Sequence, residues 1–297
     1  MRKKIFAALA FGVLFAATAM AADWSDTYLG FRAGHHYKET GNPNSIDKYI
    51  LSLNHVSGYS VGQNFFGVDL MKSNGVDPAN TASPGQSNGA QEAYLSYRHD
   101  LKVAKLFKTS ADFGPVRDVT FQTGLDYNTK NTTFAPATLK LLVGPNFALK
   151  VPGYLNIAVL YDQEWNHNAF GGYAAQNGGR INVKYDPAYM IATAWGIPVN
   201  AGPLKTIVKG FGNYTGPKGK DGSGIESKPE TLIRAFWMAD IGGLVGTKTG
   251  VFYIGPSWEF WNNKFGIPRF EPGQERPDFM QVNPRTNAFV MAAEVHF

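Results

Sequence analysis

Apolar and polar positions alternate with a period of two along most of the chain. Leu29, Phe31 and Ala33 alternate with Tyr28, Gly30 and Arg32, and Tyr49, Leu51 and Leu53 with Ile50, Ser52 and Asn54. Phe66, Val68 and Leu70 alternate with Phe65, Gly67 and Asp69. Ala93, Leu95 and Tyr97 alternate with Glu92, Tyr94, Ser96 and Arg98. The series continues through Val119–Tyr127, Leu141–Leu149 (with Pro145 inside it), Leu155–Tyr161, Ile233–Ala239 and Phe252–Phe260. It closes with Phe289, Met291, Ala293, Val295 and Phe297 set against Ala288, Val290, Ala292, Glu294 and His296. Two further segments, Tyr189–Trp195 and Lys205–Thr215, carry the pattern weakly. Period two is the signature of strands with unlike faces, so the pattern predicts an all-β chain of about twelve strands.

The connections predict how the strands close. Taken alternately, those near 38–47, 73–91, 129–138, 166–187, 216–230 and 263–284 are long and rich in Gly, Asn, Pro and Lys. Most of the others are short, such as Gly58 to Asn64 and Lys150 to Gly153; the one at 102–116 is a longer exception. Long loops at one end and short turns at the other are the asymmetry of transmembrane barrels. Hydrocarbon offers no partner to a bare N–H or C=O, so a sheet survives there only when closed on itself. The expectation is a transmembrane antiparallel up-and-down β-barrel, its aliphatic face to lipid. Tyr97, Tyr127 and Trp258 are expected in its interfacial girdles.

Composition then narrows the class. Arg2, Lys3 and Lys4 precede an apolar run from Ile5 to Ala19, and Ala19-Met20-Ala21 has the small-x-small form of a cleavage site. Residues 1–21 therefore read as a secretory signal peptide and 22–297 as the barrel. Beyond that run no apolar stretch approaches the length of a membrane helix. Three of the 28 basic residues, against 23 acidic ones, sit in the leader. The barrel itself is thus close to neutral, without the basic stripe that a nucleic-acid polymer would require. There are no cysteines, which removes disulfides, thiolate zinc sites and thiol nucleophiles.

The face opposite the aliphatic one carries the candidate chemistry. Tyr28, Arg32, Asp69, Glu92, Tyr94, Arg98, Asp126, Asp162, Glu164, Arg234, Tyr253 and Glu259 are expected to line the interior. Charges of both signs with tyrosines among them suit a polar track for neutral or zwitterionic solutes. The same groups suit an internal salt-bridge network that stiffens or plugs the lumen. Glu164-Trp165-Asn166-His167-Asn168 reads either as an entrance site or as a hydrogen-bonded loop base. Lys218 and Lys220 are expected to face lipid phosphates or solvent. His35 and His36, as strand neighbours, are expected on opposite faces, a poor geometry for one metal.

Asp26-Thr27-Tyr28-Leu29, Phe66-Gly67-Val68-Asp69 and Phe113-Gly114-Pro115, in that order and with a C-terminal aromatic, resemble the nucleoside-specific channel-forming outer-membrane porins of the Tsx type. The resemblance implies a monomeric twelve-stranded barrel in the outer membrane of a Gram-negative bacterium, passing nucleosides by diffusion. It also implies that Phe297 is read by the barrel-insertion machinery. Outer-membrane lipid and lipopolysaccharide are the expected surroundings, and no cofactor, metal or reaction is expected. Two alternatives use the same strand pattern. One is a non-transporting surface barrel of receptor or adhesin kind. The other is a barrel phospholipase, for which His55 would need a serine beside it on the lipid face.

Overall fold

The computed structural model describes residues 22–40, 42–79, 86–132, 136–167, 179–202, 204–269 and 284–297. The leader read at 1–21 lies outside the described residues, as do Asn168 and large parts of the loops expected at 73–91, 166–187 and 263–284.

Thirteen strands form one antiparallel sheet: β1 (Trp24–Glu39), β2 (Asn42–Tyr59), β3 (Gly62–Ser73), β4 (Gln91–Leu101), β5 (Val116–Lys130), β6 (Ala137–Leu149), β7 (Tyr154–His167), β8 (Asn182–Lys184), β9 (Ala188–Ala201), β10 (Leu204–Thr215), β11 (Glu230–Asp240), β12 (Phe252–Asn262) and β13 (Thr286–His296). Each long strand pairs with its sequence neighbours, β7 pairs with β9, and β1 pairs with β13. The ring therefore closes through twelve strands. The short β8 pairs with the end of β7, at Trp165–His167, inside the stretch expected to be a loop.

One end of the barrel carries the turns 60–61 and 150–153, the short connection after β9, the segment 241–251, and 102–115 with its four-residue helix α1 (Val103–Leu106). Gly153 shows why such a turn selects glycine. Its φ is +78°, and a Cβ there would stand 2.0 Å from the Gly196 carbonyl oxygen. The other end carries the longer connections, with one correction. The stretch expected as a loop near 38–47 is mostly strand, β1 reaching Glu39 and β2 starting at Asn42, because the two run on as a hairpin beyond the neighbouring strands.

β1 also departs from strict alternation. A bulge falls between Gly34 and Tyr37, with His36 at φ 67°. Both histidines are exposed, bonded to Asp47 and Ser45, rather than on opposite faces. The extra residue resets the parity. Even-numbered residues up to Arg32 point inward, and beyond the bulge the buried ones are Tyr37 and Glu39.

The two faces of the wall differ as the pattern predicts. Leu29, Phe31, Leu51, Leu70, Leu141, Val159, Ile191, Ile254 and Met291 all stand exposed on the outside. An apolar belt of this extent around a closed sheet is tolerated in lipid and not in water. Inside are buried charges together with two apolar patches. Tyr37, Ile46, Ile50, Ala288 and Val290 form one; Leu142, Ala158, Leu160 and Met190 form the other.

Candidate functional site: the lumen

The inward charges stack in three tiers between the loop end and the turn end. The middle tier is built on Asp69. It accepts hydrogen bonds from Arg32 (2.6 Å), from Arg234 (2.9 Å) and from the Ser52 hydroxyl. Arg234 also donates to Glu259 at 2.8 Å. β3 and β11 lie five strands apart around the ring, so the Asp69–Arg234 pair spans the lumen. Both guanidinium groups lie over phenyl rings, Arg234 over Phe211 (5.2 Å) and Arg32 over Phe236 (5.9 Å). Stacking of this kind holds a planar cation in place without a further charge. Arg98 and Asp126, on adjacent strands at a similar depth, form a bidentate pair at 2.7 and 2.9 Å.

The tier at the loop end is a set of lysines on shared carboxylates. Glu39 accepts from Lys48 and from Lys264 (2.8 Å), and Lys130 approaches it at 3.4 Å from β5, four strands away. Lys48 donates also to Glu92 (2.9 Å), and Lys130 pairs with Asp77 (2.7 Å). On the far wall Lys140 sits 3.4 Å from both Glu164 and Glu230, and Lys218 donates to Glu164 at 2.5 Å. Lys218 further covers the ring of Tyr185 (4.6 Å). Burial, reinforced by the Glu164 carboxylate, pushes the Tyr185 hydroxyl well above the usual phenol range, so the ring meets the ammonium as a neutral phenol.

At the turn end, Lys209 reaches Glu294 three strands away and lies 4.7 Å from the Tyr28 ring centre. His296 stacks on Tyr28 (4.7 Å) and meets Tyr253 at a tilt (5.0 Å). Its Nδ1 stands 2.9 Å from Asp26.

The structure thus gathers Arg32, Asp69, Arg234 and Glu259 into one cluster, Arg98 with Asp126 into a second, and Glu92 and Glu164 into the two lysine networks. Tyr28 and Tyr253 stand at the turn end, and Tyr94 lines a small cavity with Asp126, Lys140, Glu230 and Trp261. That cavity holds about 20 Å³, room for a water molecule. One expectation needs correction. Lys218 is buried at 2% exposure and faces Glu164, because the connection after β10 folds back over the barrel end; Lys220 alone stays exposed, 3.8 Å from Glu226. Glu164, Asn166 and His167 bond to Lys218, Thr138 and Asn182, the loop-base arrangement. The pattern gave no sign of Glu39, Lys140, Lys209, Glu230 or Lys264 as interior groups.

Asp162 stands apart. It is 2% exposed, faces the Leu142 position of β6, and neither carboxylate oxygen has a hydrogen-bond partner among the described residues. A buried polar group left unpaired costs about 1–3 kcal/mol. Asp162→Leu, continuing the patch of Leu142 and Leu160, is therefore expected to raise the unfolding free energy in urea by about that amount. A fall in stability would show that the carboxylate has a partner in solution.

On the outer face, His55 stands 2.8 Å from Thr27 Oγ1, and no carboxylate hydrogen-bonds to it among the described residues. The serine–histidine–acid geometry of a lipid-face hydrolase is not assembled at this histidine. Nor do three or more His, Asp or Glu side chains converge on a metal-sized site among the described residues.

A closed sheet with an apolar outside and an ion-paired inside defines a transmembrane β-barrel of the outer-membrane type. No family model and no curated protein matches the chain. Among solved structures it is similar to an outer membrane channel from Pseudomonas putida F1, at 10% identity over 94% of this chain and 97% of that one, with a TM-score of 0.47. It is similar also to the translocator domain of the autotransporter NalP from Neisseria meningitidis (8% identity, 99% and 96% covered, TM-score 0.44). A third is the β domain of the Bordetella autotransporter BrkA (12%, 92% and 99%, TM-score 0.38).

Proposed function

We propose that the protein is an outer-membrane channel for the passive diffusion of small polar solutes, nucleosides among them, and that the described conformation is its closed state. The observation that carries the reading is the Asp69–Arg234 pair, a reversible charged contact spanning the lumen between strands five positions apart. Ion pairs of this kind exchange with water and with solute polar groups, whereas a lumen filled by apolar packing does not reopen without unfolding. Charges of both signs in every tier give no net preference for one ion sign. They supply donors and acceptors for neutral solutes, and the rings of Tyr28 and Tyr253 offer faces to flat ones.

The tight cavity of about 20 Å³ favours a second reading, a surface barrel that never conducts. Single-channel recording of the folded barrel in planar bilayers, with nucleosides titrated in, separates the two. Small steps blocked by nucleosides, and not by simple sugars or amino acids, support the nucleoside channel. Steps without that block leave a channel for other solutes. Silence from folded protein, at every voltage and in the Arg234 variant argued below, overturns conduction.

A further inference from the structure

The lipid-facing wall of β12 and β13 ends, at the loop side, in a group of side chains that the lumen does not use. Trp258 and Phe260 stack at 5.8 Å, and Trp258 meets Phe289 at 6.5 Å. The Trp258 indole N–H donates to Asn287 Oδ1 at 2.7 Å, which fixes the ring. Above this platform the Arg285 guanidinium lies 5.1 Å from the Phe260 ring centre. Arg285 is exposed and forms no ion pair among the described residues. Lys38 stands on the adjoining strand β1, tied there by its backbone N–H to the Thr286 hydroxyl (3.0 Å). Among the described residues its ammonium meets only the Pro43 carbonyl oxygen (3.0 Å), an acceptor without charge. Asp47, which could neutralise this corner from β2, is bonded to His35 at 2.7 Å.

Two cations without acidic partners among the described residues, one over a phenyl ring and the other on the adjoining strand of a face that meets lipid, are complementary to a phosphate carried on acyl chains. The rings sit where the membrane interface begins and pack on the upper chain segments and sugar. Arg285, 5.1 Å from the Phe260 ring centre, has no carboxylate on its fork among the described residues, which suits bidentate contact with phosphate oxygens. The loop end is the outward-facing end of such barrels, so the phosphate is one that the outer leaflet carries.

We infer that Arg285 over Phe260, Lys38 on the adjoining strand and the rings of Trp258 and Phe289 form a binding site for a phosphorylated glycolipid of the outer leaflet, the lipid A part of lipopolysaccharide. The site depends on the membrane placement of the barrel and not on whether its lumen conducts.

Native mass spectrometry of the folded barrel in detergent, with bis-phosphorylated lipid A and its dephosphorylated form offered in turn, tests it. The expected result is retention of the phosphorylated lipid at least several-fold above the dephosphorylated one. That preference should be lost in Lys38→Ala/Arg285→Ala and partly kept in Arg285→Lys. Trp258 fluorescence should shift with the phosphorylated lipid and not with inorganic phosphate. Unchanged conductance, or an unchanged heat-modifiable gel shift, certifies that the variant is folded. Equal retention of the two lipids, retention undiminished in the folded double variant, or an equal response to inorganic phosphate each overturns the site.

Discussion

Arg234→Ala is expected to raise single-channel conductance several-fold and to make the pore select cations. Arg234 bonds Asp69 across the lumen and Glu259 beside it, and its guanidinium is clamped over Phe211. Truncation removes the middle tier's contact between strands five apart, and it leaves a gap the size of the side chain. Arg32 remains bonded to Asp69 and 3.8 Å from Glu259, so each carboxylate keeps a partner. One cation then faces two anions, which biases the opening toward positive ions. Because Asp69 retains Arg32 and Ser52, the loss of stability should stay below the about 3–5 kcal/mol typical of a broken buried pair. Bilayer recording with salt gradients gives conductance and ion preference in one experiment. Unchanged steps in a folded variant would place the constriction in another tier. A rise without cation preference would mean that Arg234 blocks by bulk alone.

The middle tier was legible in the sequence because Arg32, Asp69, Arg234 and Glu259 sit deep inside strands whose alternation is regular. The lysine tier was not, for three physical reasons. Glu39 lies beyond the bulge at His36, so counting from Arg32 puts it on the wrong face. Lys130 and Glu230 sit at strand ends and Lys48 lies level with the end of β3, where a charge ordinarily meets solvent; here the extended β1–β2 hairpin and the connections after β10 and β12 cover them. Lys218 and Lys264 lie outside the strands, and alternation says nothing about loops. The weak patterns of β9 and β10 have their own causes. β9 turns Ala192, Ala194 and Gly196 inward, so both faces read as apolar. β10 inverts the usual contrast, with Phe211 inward beneath Arg234 and Gly210 outward, where a Cβ would stand 2.7 Å from the Trp195 ring. Alternation reports which residues share a face. It cannot report that charges on opposite walls are long enough to meet across the lumen, as Arg234 and Asp69 do.

Glu39→Ala is the substitution expected to cost most stability. Three lysines converge on this one carboxylate: Lys48 and Lys264 hydrogen-bond to it, and Lys130 lies at 3.4 Å. Lys48, Lys130 and Lys264 are each buried. Lys48 keeps Glu92 and Lys130 keeps Asp77, but Lys264 has no other carboxylate among the described residues and is left with the faces of Trp261 (4.4 Å) and Phe265 (5.5 Å). Removing one partner of a buried ion network leaves uncompensated charge, at about 3–5 kcal/mol. Glu39→Gln preserves shape and one acceptor but not the charge, so it should lose a large part of the same amount. If the carboxylate serves mainly to neutralise Lys264, then Glu39→Ala combined with Lys264→Met should recover much of the loss, since neither buried charge remains unpaired. Urea unfolding of the barrel in micelles, followed by tryptophan fluorescence, measures all three, with Trp261 beside Lys264 as a local reporter. Recovery in the double variant would identify charge pairing as the term that matters. A double variant as unstable as Glu39→Ala would show instead that the carboxylate holds the β1–β2 hairpin in place through Lys48, and that the loop end loosens whenever that bond is cut.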